Sequence, residues 1–530
     1  MDWHFDNTYA RQLPWLGLRT DPLAVADPSL IFLADPLARD LGLDPGWLSE
    51  HGAGIFSGSV VPEGAEPIAM AYAGHQFGHF SPRLGDWRAH LLGELVDPDG
   101  NRRDLALKGS GRTVFSRGGD GRAAIGPVLR EVIISEAMHA LGIPTTRALG
   151  AAETGEKVWR DRGPERGAGL ARVAASHLRV GTLELVRTQG SIEQLRALVE
   201  YVRARHYPSV DEGHVWALFD EIASRQAELI ASWMSVGFIH GVMNTDNMAL
   251  SGETIDYGPC AFLDRYDPDT VYSSIDTGGR YRYSAQPTIA GWNLARLAEC
   301  LLPLDPSGPD AAVESATERV NGFADRYAAA FAHRMAAKLG LDSSTDGDGQ
   351  VAELVDDLLG IMQRRSLDWT NTFRSLSAHL RDSAADPASP LLPNTSQTST
   401  GGSSGEGRRS ESPFLPNSSQ MATDDGDDHD ADDDDADGGG ELDAWVARWR
   451  RLLPDAEAAA RSMDEVNPAY IPRNHLVEEA LAAAGSGDLE PFHALLEVIR
   501  EPFSERPGLE RYAEPAPERF AATYVTYCGT

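Results

Sequence analysis

The 530-residue chain contains few cysteines and no long apolar run. Its three cysteines (Cys260, Cys300 and Cys528) form no C-x-x-C pair, which excludes a disulfide framework and a cysteine zinc site and fits a reducing compartment. No run of 18 or more apolar residues occurs, and the N-terminus lacks a basic region followed by an apolar core. We therefore expect a soluble, cytoplasmic protein without membrane spans.

Positive charge is also scarce. The chain has 47 basic and 80 acidic residues, a formal net charge of -33. Only ten of the acidic residues lie in the run 424–437, so the acidity extends over the whole chain. Such a surface repels nucleic acid and anionic lipid, so neither is expected as a partner. A halophilic source would account for the acidic composition. We also expect the protein to be a monomer.

Lysine is the rarest of the charged residues. Only Lys108, Lys157 and Lys338 are present, and the remaining 44 basic residues are arginine. Lys108 ends the predicted strand 104–108 and precedes a glycine-bearing loop. It could face solvent at the strand edge, but a compact ammonium suits a phosphate oxygen in a narrow cleft better than a guanidinium fork does.

Composition and periodicity divide the chain into five segments. Residues 382–440 are rich in Ser, Pro, Gly and Asp and cannot bury enough apolar surface to offset their ordering entropy, so we expect a disordered insertion. The other segments are an N-terminal extension (1–65), a mixed strand and helix region (66–190), a mainly helical region (191–381) and a helical C-terminal extension (441–530).

The stretch GPVLREVIISEAMHALGIP predicts a helix buried on more than one side, with Pro127 near its start and Gly142 after its end. Glu131 lies on this helix, 23 residues after Lys108. A strand lysine followed by a helix glutamate is the arrangement that positions phosphates in protein kinases. Placement of Glu131 on the exposed edge of the helix is the alternative.

Residues 237–258, GFIHGVMNTDNMALSGETIDYG, resemble two kinase motifs, H-R-D-x-x-x-x-N and D-F-G. When His240 is aligned with the first motif, Asn247 and Asp256 take the metal-binding positions. Val242 takes the place of the catalytic aspartate. Asp246, beside Asn247, is a displaced candidate for the base.

A set of longer motifs occurs in order along the chain: YAGHQFGHF, RLGDWRAHLLGE, LALKGSGRTVFSRGGDGRAAIGPVLRE, SEAMHALGIPTTRAL, RVAASHLRVGTLE, HGVMNTDNMALSGETIDYGPCAFLD and RNHLVEEAL. Taken together, these motifs resemble the selenoprotein O family (SelO, the bacterial YdiU group), whose members are pseudokinases. The resemblance covers nearly the whole chain outside 382–440. It implies an α+β, protein-kinase-like bilobal fold: an N-lobe with a five-stranded sheet and an αC-type helix, a mainly helical C-lobe and a helical C-terminal extension.

This resemblance implies transfer of AMP from ATP to Ser, Thr or Tyr hydroxyls of proteins, the enzyme itself included, with UMP transfer from UTP as a further option. The nucleotide would lie in the opposite sense to that in a kinase, so Asp246 would replace the missing base. Asn247 and Asp256 would hold Mg²⁺ or Mn²⁺, and Glu131 would pair with Lys108. The implied nucleotide-binding residues are Gly85, Trp87, Arg88, Lys108, Asp120, Gly121, Arg172, Arg179 and Asp256.

Two features depart from the family pattern or leave it open. The family has L-G-D-G-R where this chain has Trp87 in place of the second glycine, so backbone contact with the nucleotide gives way to stacking on the base or to a shifted loop. Cys528 lies where some family members carry selenocysteine, and Cys260 follows the D-Y-G. A redox link between them and two unpaired buried thiols both remain open.

Two other functions compete with protein adenylylation. His240-Gly241 also resembles small-molecule phosphotransferases of the aminoglycoside and choline kinase type, although those enzymes keep an aspartate at the position of Val242. A catalytically silent, nucleotide-binding scaffold is the third interpretation.

Overall fold

The structure, a computed structural model, describes residues 1–160, 163–342, 349–385 and 438–527. Most of the predicted insertion, together with Cys528, lies outside these ranges, and the segment boundaries given above stay predictions. Within the described ranges, no helix combines the length and apolarity that crossing a bilayer requires.

Most strands of the described residues belong to one antiparallel sheet. Two further short pairs, β4 with β5 and β11 with β12, lie outside it. The strands are β1 Gly17–Arg19, β2 Ser29–Leu33, β3 Ile68–Met70, β4 Gly74–Gln76, β5 His79–Ser81, β6 Ala89–Val96, β7 Arg102–Lys108, β8 Ala123–Ala124, β9 Arg147–Arg160, β10 Gly163–Ala174, β11 Phe238–Ile239 and β12 Ala261–Phe262.

The expectation of a five-stranded sheet is wrong. The sheet has eight strands among the described residues, in the order β1-β3-β6-β7-β10-β9-β2 with β8 beside β10. The segment 1–65 supplies both edge strands, since β1 pairs with β3 and β2 pairs with β9. These edge strands are only three and five residues long, and their partners are remote in sequence. Short strands leave little periodic signal, so only the backbone pairing reveals them.

The predicted strand 104–108 is confirmed as part of β7, which pairs with β6. Between them, Asp97 Oδ1 accepts from the backbone N–H of Asn101 at 2.7 Å, and Gly100 adopts a φ of 83°, which an L side chain would resist. The register sets Ala89 opposite Lys108. Lys108 therefore stands at the end of β7.

The predicted helix with Pro127 near its start and Gly142 after its end is confirmed as α4. The described helices, apart from short 3₁₀ turns, are α1 Thr8–Gln12, α2 Asp35–Asp40, α3 Pro45–Phe56, α4 Ile125–Ala140, α5 Val180–Gln189, α6 Ile192–His206, α7 Val215–Ser235, α8 Gln286–Leu301, α9 Pro309–Asn321, α10 Phe323–Lys338, α11 Gln350–Arg364, α12 Trp369–Ala385, α13 Gly438–Leu452, α14 Ala456–Val466, α15 Asn474–Ser486, α16 Glu490–Ile499, α17 Glu510–Ala513 and α18 Glu518–Ala521.

Helix α4 is buried on two sides, as its apolar residues predicted. One side packs on β9 and β10, and the other packs on α15 and α16. Its polar residues are used at these contacts: Arg130 pairs with Glu478 of α15, and Glu136 accepts from Arg147 and from Arg500, both at 2.8 Å. The C-terminal helices therefore cover the helix that carries Glu131.

The kinase-like segment lies between two short paired strands. Helix α7 ends at Ser235, and Gly237 reverses the chain with a φ of 73°, where a Cβ would lie 2.9 Å from the Trp369 ring. Strand β11 follows and pairs with β12, Phe238 opposite Phe262. This pairing closes the loop that contains Asp246, Asn247 and Asp256.

Candidate active site

Lys108, Glu131 and Asp256 form one ion-paired group. The Lys108 ammonium contacts Glu131 Oε2 directly and lies 3.2 Å from Asp256 Oδ1. Glu131 is almost fully buried on α4, whereas Lys108 and Asp256 are partly accessible. The structure thus joins a strand, a helix and the D-Y-G loop through three charges. The alternative that Glu131 lies on an exposed helix edge is excluded.

Asp256 is held by three cations. Arg172 Nη1 contacts its Oδ1 at 2.5 Å, and Arg179 Nη1 lies 3.6 Å from its Oδ2. Burial by itself would raise the pKa of this carboxyl, but Arg172, Lys108 and Arg179 hold that pKa well below its usual range. Its backbone is left-handed, with a φ of 62°. Asp256 is therefore ionised at neutral pH. It lies on a turn whose backbone conformation is uncommon for a residue other than glycine.

Arg172 is fixed by a buried relay that the sequence did not reveal. Its Nε donates to Nε2 of His177 at 3.2 Å, while Nδ1 of His177 lies 3.0 Å from Asp104 Oδ2. Arginine can only donate, so the imidazole accepts at Nε2 and carries its proton on Nδ1. Burial lowers the pKa of His177, in keeping with this neutral form. Arg205 completes the relay with an ion pair to Asp104 at 2.5 Å.

Arg179 connects Asp256 to the proposed base. This side chain is only 2% exposed and stacks over the Tyr72 ring at 4.3 Å. Its Nη1 donates to the backbone carbonyl of Asp246 at 3.0 Å while it faces Asp256. Because a guanidinium is planar and rigid, this pair of contacts fixes the loop carrying Asp246 relative to Asp256.

Asp246 has one satisfied oxygen and one unsatisfied oxygen. Its Oδ2 accepts from Gln76 Nε2 at 3.3 Å, whereas Oδ1 is buried and has no hydrogen-bond partner among the described residues. Burial raises the pKa of this carboxyl to about 6, against the opposing effect of Arg179. A buried carboxylate oxygen without a donor is unusual, and its presence indicates a functional group.

The β4–β5 hairpin and α5 hold the turn that contains Asp246. Glu184 of α5 accepts from Thr245 Oγ1 at 2.5 Å and also contacts Nδ1 of His75, and the backbone N–H of His75 donates to Thr245 Oγ1 at 2.7 Å. At Gly74 of the hairpin, a Cβ would lie 2.7 Å from Asp246 Oδ1. A glycine is required there, because any side chain would displace the carboxylate.

Asn247 lies beside Asp246 with its amide oriented. Its Nδ2 donates to the carbonyl of Val242 at 3.0 Å. Val242 itself is buried, at 7% exposure, and offers no proton acceptor in its side chain. No cluster of three or more His, Cys, Asp and Glu side chains suited to a metal occurs in the described ranges.

Gly85, Trp87 and Arg88 lie in the loop before β6. Gly85 adopts a φ of 126°, and a Cβ there would overlap the Phe115 ring at 2.5 Å. The Arg88 guanidinium stacks on the Trp87 ring at 4.4 Å, and the carbonyl of Arg88 accepts from Gly109 at 2.7 Å, next to Lys108. Trp87 thus pairs with a neighbouring cation, and the loop is anchored beside the lysine.

Asp120 and Gly121 close the glycine-bearing loop after β7. Asp120 accepts from Arg160 at 2.8 Å and from the backbone of Arg122 at 2.9 Å, so both of its carboxylate oxygens are engaged. A Cβ at Gly121 would lie 2.2 Å from the backbone of Gly111, which demands glycine. The contacts of this pair lie within the loop and with Arg160 of β9, and they do not join the charged group around Asp256.

Cys260 is fully buried after the D-Y-G, and burial raises the pKa of its thiol to about 12. It is a poor nucleophile in this environment. Whether Cys528 approaches it lies outside the described residues.

The sequence interpretation missed the residues that orient the site. Gln76, Glu184, His177 and Asp104 all stand in motifs that carried the resemblance or beside them, yet none was assigned a role. A signal was available for Asp104 and Glu184, which are acidic residues in the largely buried elements β7 and α5. Only their contacts show what they hold.

Comparison with known proteins identifies the family. The family model for protein adenylyltransferase SelO matches residues 19–500. Protein nucleotidyltransferase YdiU of Cereibacter sphaeroides is 50% identical over 534 aligned residues, covering 100% of both chains. The proteins of the same name from Mycolicibacterium paratuberculosis and Pseudarthrobacter chlorophenolicus are each 49% identical over 528 residues, covering 98% of this chain and 97% of theirs. The chain belongs to the SelO family of protein adenylyltransferases.

Proposed function

We propose that this protein transfers AMP from ATP to Ser, Thr or Tyr hydroxyls of proteins, itself included, and releases pyrophosphate. The observation that carries the proposal is the pair of residues Asp246 and Val242. The kinase position for the base is apolar and buried, while a carboxylate with an unpartnered oxygen lies four residues further on. A proton acceptor at the new place suits an acceptor hydroxyl that arrives at a different phosphorus.

The reaction is a displacement at the α-phosphorus. The acceptor oxygen forms a bond to Pα, and the bond from Pα to the oxygen bridging to the β-phosphorus breaks. Pyrophosphate leaves with that electron pair, and the hydroxyl proton passes to Asp246 Oδ1. A carboxylate with a pKa near 6 is ionised at neutral pH and still basic enough to take the proton.

Lys108, Arg172 and Arg179 are proposed to neutralise the phosphates. All three converge on Asp256, so they create a positive region inside a chain of net charge -33. Preorganised cations stabilise the charge that develops on a leaving pyrophosphate, because they need no reorganisation during the reaction. Gly85, Trp87, Arg88, Asp120 and Gly121 are proposed to contribute the remaining nucleotide contacts, with Trp87 and Arg88 presenting a stacked surface.

Asn247 and Asp256 are proposed to hold Mg²⁺ or Mn²⁺. The residues fit such an ion, because the Asn247 amide nitrogen donates to the Val242 carbonyl, which leaves the amide oxygen as the candidate ligand, and Asp256 is kept ionised. Two protein oxygens suit a cation that keeps water and phosphate oxygens as its other ligands. When bound, the ion would add charge stabilisation on the transferring phosphoryl group.

A kinase-like bilobal arrangement is proposed from the positions of the ion-paired residues. Lys108 on β7 and Glu131 on α4 occupy the strand and helix positions of a kinase, and the D-Y-G aspartate meets the lysine. The eight-stranded sheet and the C-terminal helices would then be additions to that plan.

Radiolabelled ATP tests the function directly. Incubation with Mg²⁺ or Mn²⁺ and ATP labelled at the α-phosphorus should label protein, and Asp246→Asn should abolish labelling while ATP binding persists. Asp443→Asn, an exposed change on α13, is the matched control and should behave as wild type. UTP labelled at the same position tests UMP transfer.

The two competing functions give different results in this assay. Transfer of the γ-label to a small molecule, without α-label on protein, would establish the phosphotransferase instead. ATP binding without transfer of either label would establish the scaffold.

A further inference from the structure

A second cationic group lies next to the hairpin that contacts Asp246. The Trp292 ring of α8 carries the guanidinium of Arg280 at 4.9 Å and that of Arg296 at 5.0 Å. We refer to these three residues as the Arg–Trp–Arg stack. The His75 ring meets Trp292 edge-on at 5.2 Å.

The hairpin places this stack close to the proposed base. His75 and Gln76 are adjacent in β4, and successive side chains of a strand point to opposite faces. His75 contacts the stack, whereas Gln76 contacts Asp246 at 3.3 Å. Arg280 also lies against the hairpin tip, because its Cζ is 3.5 Å from the place of a Cβ at Gly78. One strand therefore separates the stack from the carboxylate.

Arg280 forms no ion pair with a carboxylate among the described residues. The acid on its own loop, Asp276, is 4% exposed and accepts from the backbone N–H groups of Arg280 and Tyr281 at 2.9 and 2.7 Å. Arg296 pairs with Glu299 at 2.7 Å, but that glutamate side chain is 54% exposed. An exposed pair of this kind contributes little and is screened by salt.

We propose that the Arg–Trp–Arg stack is the docking surface for the acceptor protein and that it selects acidic residues near the modified hydroxyl. This inference rests on the proposed function. Arginine recognises carboxylates through a planar fork, and stacking on tryptophan holds the fork in place, so less side-chain entropy is lost on binding. An extended peptide advances ~3.3 Å per residue. A carboxylate within about five residues of the modified hydroxyl can therefore reach across β4, the strand that separates the stack from Asp246.

The overall charge makes such a surface selective. A chain of net charge -33 repels acidic segments at most places, so a local pair of guanidinium groups beside the site determines where an acidic segment can approach. The stack therefore defines both the class of acceptor and the direction from which its hydroxyl reaches Asp246.

The test uses two acceptor peptides that differ only in charge. One carries Glu on both sides of a Ser, and the other carries Gln at the same places. Binding of each fluorescent peptide is measured by anisotropy with a non-hydrolysable ATP analogue present, and AMP transfer is measured with α-labelled ATP. We expect the full-length enzyme to bind the Glu peptide at least fivefold more tightly than the Gln peptide and to show the same preference in kcat/KM.

Variants assign the preference to the stack. Arg280→Gln and Arg296→Gln should each reduce the preference at least threefold, and Arg280→Glu should abolish or reverse it. Arg461→Gln removes an exposed arginine paired with Glu457 on α14 and should change nothing. Thermal unfolding of each variant shows that it is folded, and Arg296→Gln tests the surface independently if Arg280→Gln is unstable.

The outcomes separate this inference from the proposed function. Equal binding of the two peptides, or a preference that survives both substitutions, overturns the docking surface even where AMP is transferred. Charge-selective binding that depends on Arg280 supports the surface even where no AMP is transferred, and that result would count against the adenylyltransferase alone.

Discussion

The Nε–H of Arg172 donates to Nε2 of His177 at 3.2 Å, and this contact requires a neutral imidazole whose proton points at Asp104. His177 therefore orients the guanidinium that contacts Asp256, although the histidine forms its own contacts with Arg172 and Asp104. The contact of His177 with Arg172 connects the interior of the sheet to the candidate active site. We therefore expect activity to depend on which side chain occupies position 177.

Asparagine and glutamine at position 177 should have unequal effects. In His177→Gln the amide oxygen can replace Nε2 and accept from Arg172, whereas in His177→Asn the shorter amide reaches only Asp104. An unpaired buried donor costs about 1–3 kcal/mol, so kcat/KM for ATP should fall roughly 5- to 160-fold in His177→Asn. His177→Gln should retain more activity. Initial-rate assays of both, with exposed His214→Gln as control, check the order; equal losses would mean that Asp104 is the partner that matters.

Lys108→Ala should lower AMP transfer by at least about tenfold, because removal of a cation from a phosphate site typically costs several kcal/mol. The lysine also pairs with Glu131 and Asp256, so the substitution leaves two carboxylates less compensated. Lys157→Ala provides the matched control, since Lys157 is exposed on β9. Near wild-type turnover of Lys108→Ala would remove it from the nucleotide site.

Activity should decrease as the pH falls through about 6. Burial raises the pKa of Asp246 from 3.8 to about 6, so the base becomes protonated over that range in the folded protein. A profile of kcat/KM against pH measures it. A profile that stays flat down to pH 5 would contradict the assignment of the base.

The raised pKa of Asp246 affects stability in the opposite direction: activity falls as the pH falls, whereas stability falls as the pH rises. The folded state favours the protonated carboxyl, so this stabilisation is fully present below pH 3.8 and is lost as the pH rises through about 6. Asp246→Asn should therefore unfold at a higher temperature than wild type at pH 8. A pKa difference of about two units corresponds to at most about 3 kcal/mol of unfolding free energy. The advantage should shrink toward pH 4. Thermal unfolding at both pH values, with Asp443→Asn beside it, tests this.

Lys338 should make stability depend on pH in the alkaline range. It is buried, donates to Asn467 Oδ1 at 2.8 Å and lies 4.2 Å from the Phe373 ring centre. Burial lowers its pKa from 10.5 to about 7, so the unfolded chain binds a proton that the folded chain does not. Stability then rises with pH between about 7 and 10.5. Lys338→Met should lose this slope in chemical denaturation series, and an unchanged slope would assign it to other groups.

Local patterns predicted the elements with strong periodicity or strong turn signals. The strand 104–108 of β7, which a glycine-bearing loop follows, and the apolar circumference of α4 were predictable because adjacent residues decide them. The edge strands β1 and β2 were not predictable in this way. Each is short, and each is defined by hydrogen bonds to residues at least about 50 positions away.

The chemistry of the site divides along the same line. The sequence by itself determined which residue types were present: a rare lysine, a helix glutamate, a D-Y-G aspartate and the valine in place of a kinase base. Tertiary structure alone decided that Arg172 and Arg179 converge on Asp256 and that His177 orients Arg172. It also decided that one carboxylate oxygen of Asp246 has no hydrogen-bond partner within the described part of the chain. The physical reason is that charge pairing, burial and pKa depend on distances between residues far apart in the chain, and local sequence does not specify those distances.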